Sequence, residues 1–324
     1  MSNREREGIM MINILLFVDS GIDDSLALMY AVQNPELNIV GVVSGYGNIT
    51  KEESLRNTAY LLKLGGREDI PIIAGVSGPL SGKPATFYPE IHGEEGLGPI
   101  QPPEDFTGLK VYDINKIIDI IDQYKNDIVL VGLGRQTDLA LPLIIYGEDA
   151  YKDVNAIYMM GGAFLVPGNV SAEAEANFYS DPLAADIVLE KGRNVYLFPL
   201  NVTNKAVVTP EMIDYISANT ESAYKDLIKP AFEYYFQAYK ENVPGIGGAP
   251  IHDAVPLIIL TNPDLAKFIK RRVRVEQFGG AQGKTNADFR PKPEDQPEDT
   301  LDYIAMEIDT AKLLETFMLN FTAV

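Results

Sequence analysis

Ile14-Leu-Leu-Phe-Val-Asp-Ser-Gly-Ile-Asp-Asp-Ser-Leu-Ala-Leu28 joins an apolar run to a segment of helical periodicity. Ile14 to Val18 suit a buried strand, and Leu26, Ala27 and Tyr30 recur three to four apart, as on one face of a helix packed against it. Asp19, Asp23 and Asp24 then share a single strand-to-helix corner. In an open parallel α/β sheet that corner is where ligands bind, outside the carboxyl ends of the strands. Helix capping accounts for one or two of these acids, because free N–H groups and the helix dipole favour anions there. Capping does not require Asp19, which ends the strand and is aimed at the same crevice. A hard-cation site therefore stands beside the capping reading.

Outward from this corner the strand-helix pattern repeats. Leu37–Ser44 reads as a second strand, and Thr50 with Glu53 has capping-box spacing for a helix to about Lys63. Further strands are expected at 70–75, 128–132 (the fourth), 156–160 and 195–199, with helices over 114–124, from Thr137, and from Asp181-Pro182 to Lys191. A Gly- and Pro-rich loop covers 76–106, a length more typical of a lid or rim than of a linker. Near-continuous apolar strands alternating with helices predict an α/β fold with a mostly parallel central sheet covered on both faces. A helical elaboration follows in the C-terminal half: helices from Pro210, over 222–242 and from Asp253. Late strands are expected at 272–277 and 303–308, and a closing helix from Thr310. One domain over 12–324 after a flexible segment, 1–11, is the economical organisation.

The chain has 324 residues and a net charge of −19, from 46 acidic and 27 basic residues. Such a surface repels nucleic acid and anionic membranes. The absence of cysteine excludes disulfides, thiolate nucleophiles and thiolate metal sites, and fits a cytoplasmic protein. No stretch is long enough to span a membrane.

Two histidines occur, His92 and His252, both in loops beside glycines and acids. Asp253 can be read as the N-cap of the helix that follows it. The segment from Gly161 to Pro182 is a second polar strand-end loop, whose Asn169, Glu175 and Asn177 could hydrogen-bond a polyhydroxylated ligand. No dinucleotide fingerprint, phosphate loop or nucleophile elbow is present. Phe232, Tyr235, Phe236 and Tyr239 lie three to four apart on one helix, a pattern that core packing also explains; Tyr235 and Tyr239, with Phe178, are candidates to wall a ligand pocket.

Taken together, these motifs resemble the calcium-dependent nucleoside hydrolases of the inosine-uridine-preferring type. Phe17-Val-Asp-Ser-Gly-Ile-Asp-Asp24 matches that family's D-x-D-P-G-x-D-D signature, except that Phe17 replaces the first acid and Ser20 the proline. The likeness continues in order through Gly47-Asn48, Asn57, His92-Gly93, Gly134 with Thr137, Met160-Gly-Gly-Ala-Phe164, Gly168-Asn169, Glu175 with Asn177, Asp181-Pro182 and His252-Asp253. The resemblance implies that Asp19, Asp24, Asp253 and the carbonyl of Leu133 ligate Ca2+, an ion that accepts irregular all-oxygen coordination. It implies that Asp23, Asn48, Asn169, Glu175 and Asn177 hold the ribose, that His92 and Met160 line the substrate site, and that His252 faces the nucleobase. It further implies a homo-oligomer, dimer or tetramer, acting on a small nucleoside.

The implied reaction is hydrolysis of the N-glycosidic bond of a ribonucleoside to ribose and free base, using a Ca2+-bound water. Calcium is a weaker Lewis acid than zinc, which brings water only to a pKa of about 7, so a carboxylate base is still needed. Asp19 is the expected base. His252, with an unperturbed pKa of about 6.5, is expected to be partly protonated at neutral pH and to serve as leaving-group acid. The chain lacks Trp, so stacking a purine between tryptophans is not open to it, and Ala176 stands where the family commonly has a large aromatic. A relative that keeps the calcium and sugar sites but has lost or altered its hydrolysis would look similar; Phe17 and Ser20 favour that alternative. A dehalogenase-like phosphatase would want a different acid motif after its first strand.

Overall fold

The computed structural model describes residues 11–104, 109–293 and 297–322, so nearly all of the expected flexible N-terminal segment, and the end of the loop over 76–106, fall outside the described residues. Seven strands alternate with helices: β1 (Ile12–Val18), β2 (Leu37–Ser44), β3 (Ile72–Ala74), β4 (Val111–Tyr112), β5 (Val129–Gly132), β6 (Ala156–Met160) and β7 (Val195–Phe198). Strands Ala266–Arg271 and Asp302–Ile308 complete a nine-stranded sheet. From one edge the order is Ala266–Arg271, Asp302–Ile308, β7, β6, β5, β1, β2, β3, β4. Every neighbour pair is parallel except Ala266–Arg271 with Asp302–Ile308.

β1 is the hinge of this topology. The chain moves outward from it through β2, β3 and β4, then returns to place β5 on its other side. That reversal is the switch point, where the loops after β1 and β5 open into one crevice. Alternation along β1 sends Ile14, Leu16 and Val18 into the core on one face of the sheet, and Leu15 and Phe17 into the core on the other. The apolar ring that replaces the first signature acid is therefore core, packed with residues such as Leu130 and Leu139.

Local signals place the helices as expected. Thr50 accepts from the Glu53 N–H at 3.3 Å and donates its own N–H to the Glu53 carboxylate at 2.9 Å, opening helix Lys51–Leu64. Asp181 caps helix Pro182–Lys191, with Pro182 in its first turn. Two expectations need correction. Val129–Gly132 is the fifth strand rather than the fourth, because Val111–Tyr112 pairs with β3; two residues carry no readable periodicity. The late strand of the central sheet is Ala266–Arg271; within 272–277 only Arg274–Val275 is a strand, and it stays outside that sheet. There the Val273 and Val275 N–H groups go to the carboxylates of Asp302 and Asp186, both at 3.0 Å, so the backbone leaves the sheet and Arg274–Val275 pairs only with Thr285–Asn286.

Candidate active site

The site gathers where the carboxyl ends of β1 and β5 meet the loop before helix Ala254–Thr261. Asp24 sits in the first turn of helix Ile22–Gln33 and accepts N–H bonds from Asp19 at 3.1 Å and Gly21 at 3.3 Å. Capping thus explains part of Asp24. It does not explain Asp253, whose side chain makes no capping hydrogen bond to the helix it precedes. Instead one carboxylate oxygen each from Asp23, Asp24 and Asp253 lies within 4.8 Å of the others.

All three are buried, and their carboxyls are pushed upward: Asp23 to about 6, Asp24 and Asp253 well above the usual range. Loss of hydration is the largest cause, followed by repulsion from neighbouring carboxylates. Asp23 Oδ1 is buried with no hydrogen-bond partner, 3.9 Å from His92 Nδ1, while its Oδ2 accepts the Tyr235 hydroxyl at 3.2 Å. Hard oxygen donors, mutual repulsion and an orphaned oxygen are the features a divalent cation would relieve, so these residues fit one.

Asp19, expected among the ligands, lies beside Asp24 and accepts from two further side chains. Its Oδ2 accepts from Arg135 Nη1 at 2.8 Å and its Oδ1 from Asn48 Nδ2 at 2.9 Å; Asn48 Nδ2 also donates to Asp24 at 3.0 Å. Gly47 makes room for this carboxylate, because a Cβ there would lie 1.6 Å from Asp19 Oδ2. The Leu133 carbonyl, the expected backbone ligand, accepts the Asn177 side-chain amide at 2.6 Å. Asn177 also donates to the Met160 carbonyl at 3.1 Å and accepts from Arg135 at 2.9 Å. Glu175 holds Asn177 in place by capping helix Ala176–Ser180, accepting from the N–H groups of Asn177, Phe178 and Gly162.

Not every expected residue converges. Asn169 is exposed, its side chain spent on the Ala176 N–H. Phe178 belongs to the core, against Gly161 and Gly162. The aromatic helix, Lys225–Asn242, divides its face: Phe232 is buried in the core, whereas Tyr235 and Tyr239 meet the histidines. Tyr235 lies 5.7 Å from the His92 ring, centroid to centroid, and 4.9 Å from Tyr239. His92 Nδ1 accepts the Ile22 N–H at 3.1 Å. His252 is held at both nitrogens, 2.9 Å from Tyr239 Oη and 2.9 Å from Thr203 Oγ1.

Partial protonation of His252 at neutral pH is corrected here. Burial lowers it to about 4, and His92 to about 3, so both rings are neutral. Three residues that shape the site were not anticipated from sequence: Arg135, Thr203 and Tyr88, whose ring lies 5.6 Å from the Arg135 guanidinium carbon. A signal did exist for Arg135, a charged residue between Gly134 and Gln136 directly after a buried strand. Nothing local marks the other two.

The model of the inosine-uridine preferring nucleoside hydrolase family matches residues 14–315. The chain belongs to the inosine-uridine preferring nucleoside hydrolases. Uridine nucleosidase 1 of Arabidopsis thaliana is 32% identical over 276 residues, 85% of this chain and 81% of that one. The pyrimidine-specific ribonucleoside hydrolase RihA of Escherichia coli is 33% identical over 282 residues, covering 86% and 89%. Among solved structures, a purine-preferring ribonucleoside hydrolase from Gardnerella vaginalis superposes with a TM-score of 0.88 at 28% identity, covering 96% and 98% of the two chains. A plant nucleoside hydrolase superposes at 0.86 and 26% identity, covering 97% and 99%. As a nucleoside hydrolase, the chain cleaves the N-glycosidic bond of ribonucleosides, and the reading as a binding protein without activity is not favoured. The family is metal-dependent, and the three buried carboxylates are where this chain could meet that requirement. No helix among the described residues is long and apolar enough to cross a membrane.

Proposed function

We propose that the resident cation is Ca2+, held by Asp23, Asp24 and Asp253, and that Asp19 and the Tyr239–His252 pair serve hydrolysis from either side of the ribose. The convergence of Asp253 with the acids of the first strand's corner carries this reading. When bound, the cation supplies charge compensation for the acids and an anchor for ribose hydroxyls and water. Asn48 and Asn177 offer amide groups to the sugar beside it. Cleavage of the C–N bond builds oxocarbenium-like positive charge on the ribose, which the surrounding carboxylates stabilise. Asp19, at the mouth of β1, takes the proton of the attacking water.

The leaving base gains its hydrogen bond from neutral groups. Thr203 holds His252 at Nδ1, and His252 holds Tyr239 at Nε2. This chain orients a hydroxyl or ring N–H toward the base without needing an imidazolium. Among the relatives described above, the two compared by sequence at over 30% identity are a uridine nucleosidase and a pyrimidine-specific hydrolase, so uridine is the proposed first substrate. The same reading makes the chain a cytoplasmic homo-oligomer, which light scattering after size exclusion tests.

The deciding experiment measures reducing-sugar release from uridine, cytidine, inosine and adenosine, with and without chelator. Asp19→Asn is expected to lower kcat by about 10²–10⁴-fold, the usual worth of a positioned base. Near wild-type turnover by Asp19→Asn on every nucleoside would sink the assignment.

A further inference from the structure

Lys270-Arg-Arg-Val-Arg274 concentrates positive charge in a chain whose net charge is −19. Where these side chains go is decided by the departure from the sheet after Arg271. On a continued strand they would alternate between its two faces. Instead the Val273 N–H goes to Asp302 Oδ2 at 3.0 Å, and the turned backbone brings Arg271, Arg272 and Arg274 to one open cleft of about 820 Å³. Lys270, Arg290 and Lys292 line it too, so six of its eleven lining residues are basic and one, Asp288, is acidic. Arg271 stands opposite Asp302, which opens the strand parallel to β7. The cleft therefore lies at the amino end of the sheet, away from the crevice at the carboxyl ends of β1 and β5.

Three of the six cations are already matched. Lys270 reaches Glu298 at 2.6 Å and Arg274 lies 3.1 Å from Glu190. Arg290 forks onto Asp288, with Nε 2.9 Å from Oδ1 and Nη2 2.6 Å from Oδ2. The other three are not. Arg271 gives Nε and Nη1 to the carbonyls of Asp288 at 2.6 Å and Lys270 at 2.7 Å, which fix the guanidinium without neutralising it. Arg272 and Lys292 are exposed and form no ion pair among the described residues. Asp302, whose carboxyl feels Arg272, is pushed by burial up to about 8 and is largely uncharged at neutral pH. A fixed guanidinium beside two open cations suits phosphate oxygens, which accept the planar fork in pairs. The surrounding charge selects a small ligand. A long polyanion meets the repulsion of the whole acidic surface, whereas a small one feels chiefly the charges within a Debye length of about 8 Å.

We propose that this cleft binds a small molecule carrying two or more linked phosphoryl groups, held by Arg271, Arg272 and Lys292 at a site separate from the hydrolytic one. A single phosphoryl group, with a charge of about −1.5 to −2, would leave part of the unmatched charge uncompensated. The cleft also falls within the range of small-molecule sites, about 300–1,000 Å³.

The test is isothermal titration of the full-length protein with inorganic pyrophosphate, adenosine 5′-diphosphate and inorganic phosphate. Wild type is compared with Arg271→Gln, with the double variant Arg272→Gln and Lys292→Gln, and with Lys240→Gln, an exposed cation outside the cleft. Pyrophosphate is expected to bind at least about tenfold more tightly than phosphate. Arg271→Gln and the double variant should each weaken it about tenfold or more, the worth of one hydrogen bond to a charged group, while Lys240→Gln stays within about twofold. The double variant alters only exposed side chains, so it decides the matter if Arg271→Gln does not fold. With those losses, tighter binding of adenosine 5′-diphosphate than of pyrophosphate makes the occupant a nucleotide, and equal or weaker binding makes it the phosphate chain alone; either upholds the proposal. It is overturned if wild type takes up neither diphosphate, if phosphate binds as tightly as pyrophosphate, or if the double variant loses less than about tenfold.

Discussion

Removing divalent cations while raising the pH should destabilise this protein, by an amount that the buried acids set. Asp23 moves from an ordinary 3.8 to about 6 in the folded chain. Between those values the folded state holds a proton that the unfolded state has released, so stability falls as pH rises and levels off above about 6. Roughly two pKa units correspond to about 3 kcal/mol. Asp24 and Asp253 are shifted in the same direction and further, so they carry the loss on to higher pH. The assay is urea unfolding of chelator-treated protein at pH 4.5, 6 and 7.5, repeated in Ca2+. The metal-free protein should weaken across this range, and Ca2+ should restore stability chiefly above pH 6, where the acids would otherwise be charged; at 100 times its Kd the ion stabilises by about 2.7 kcal/mol. The net charge of −19 also opposes compactness as pH rises. Asp23→Asn separates the two effects, because it removes one buried titration while changing the surface little, and should flatten the metal-free slope between pH 4 and 6. A metal-free protein as stable at pH 7.5 as at 4.5, with no gain from Ca2+, would refute the reasoning.

Other perturbations probe the remaining parts of the site. Gly47→Ala places a methyl where Asp19 Oδ2 now sits, so kcat should fall by at least about 10²-fold in a protein that circular dichroism shows still folded, since a misplacement of about 1 Å already costs that much. Thr203→Val keeps the shape but removes the partner of His252 Nδ1; turnover should drop about tenfold, most for nucleosides with the poorest leaving bases, as a kcat comparison across nucleosides will show. Tyr239→Phe should act in the same direction and add little to Thr203→Val in the double variant, because the two belong to one hydrogen-bonded chain. Because His252 and His92 are already neutral near pH 7, the kcat profile should show no histidine inflection between pH 6 and 8; a clear break near 6.5 would place a charged imidazole in the reaction.

Much of this site was legible in the sequence where the cause is local. The run ending at Val18, the Thr50–Glu53 box and the Asp181-Pro182 start each depend on neighbours a few residues away, and the structure places them as the pattern implies. The β-α alternation was enough for a mostly parallel sheet, and hence for a crevice at the ends of β1 and β5. The edge of the sheet was less readable. Whether the chain pairs at Ala266–Arg271 or at 272–277 turns on where Asp302 and Asp186 deliver their carboxylates, and both come from distant segments.

The sequence by itself determined which acids could meet: Asp19, Asp23 and Asp24 at one corner, because a strand followed by a helix leaves them nowhere else to go. It did not determine what else they meet. Only the tertiary structure brings Asp253 onto Asp23 and Asp24, and turns Arg135 from the end of β5 onto Asp19. Burial, again a property of the whole fold, decides that His252 is neutral and that the carboxylates crowd against their own charge. A side chain's type is local information; its partner and its protonation depend on what the rest of the chain packs around it.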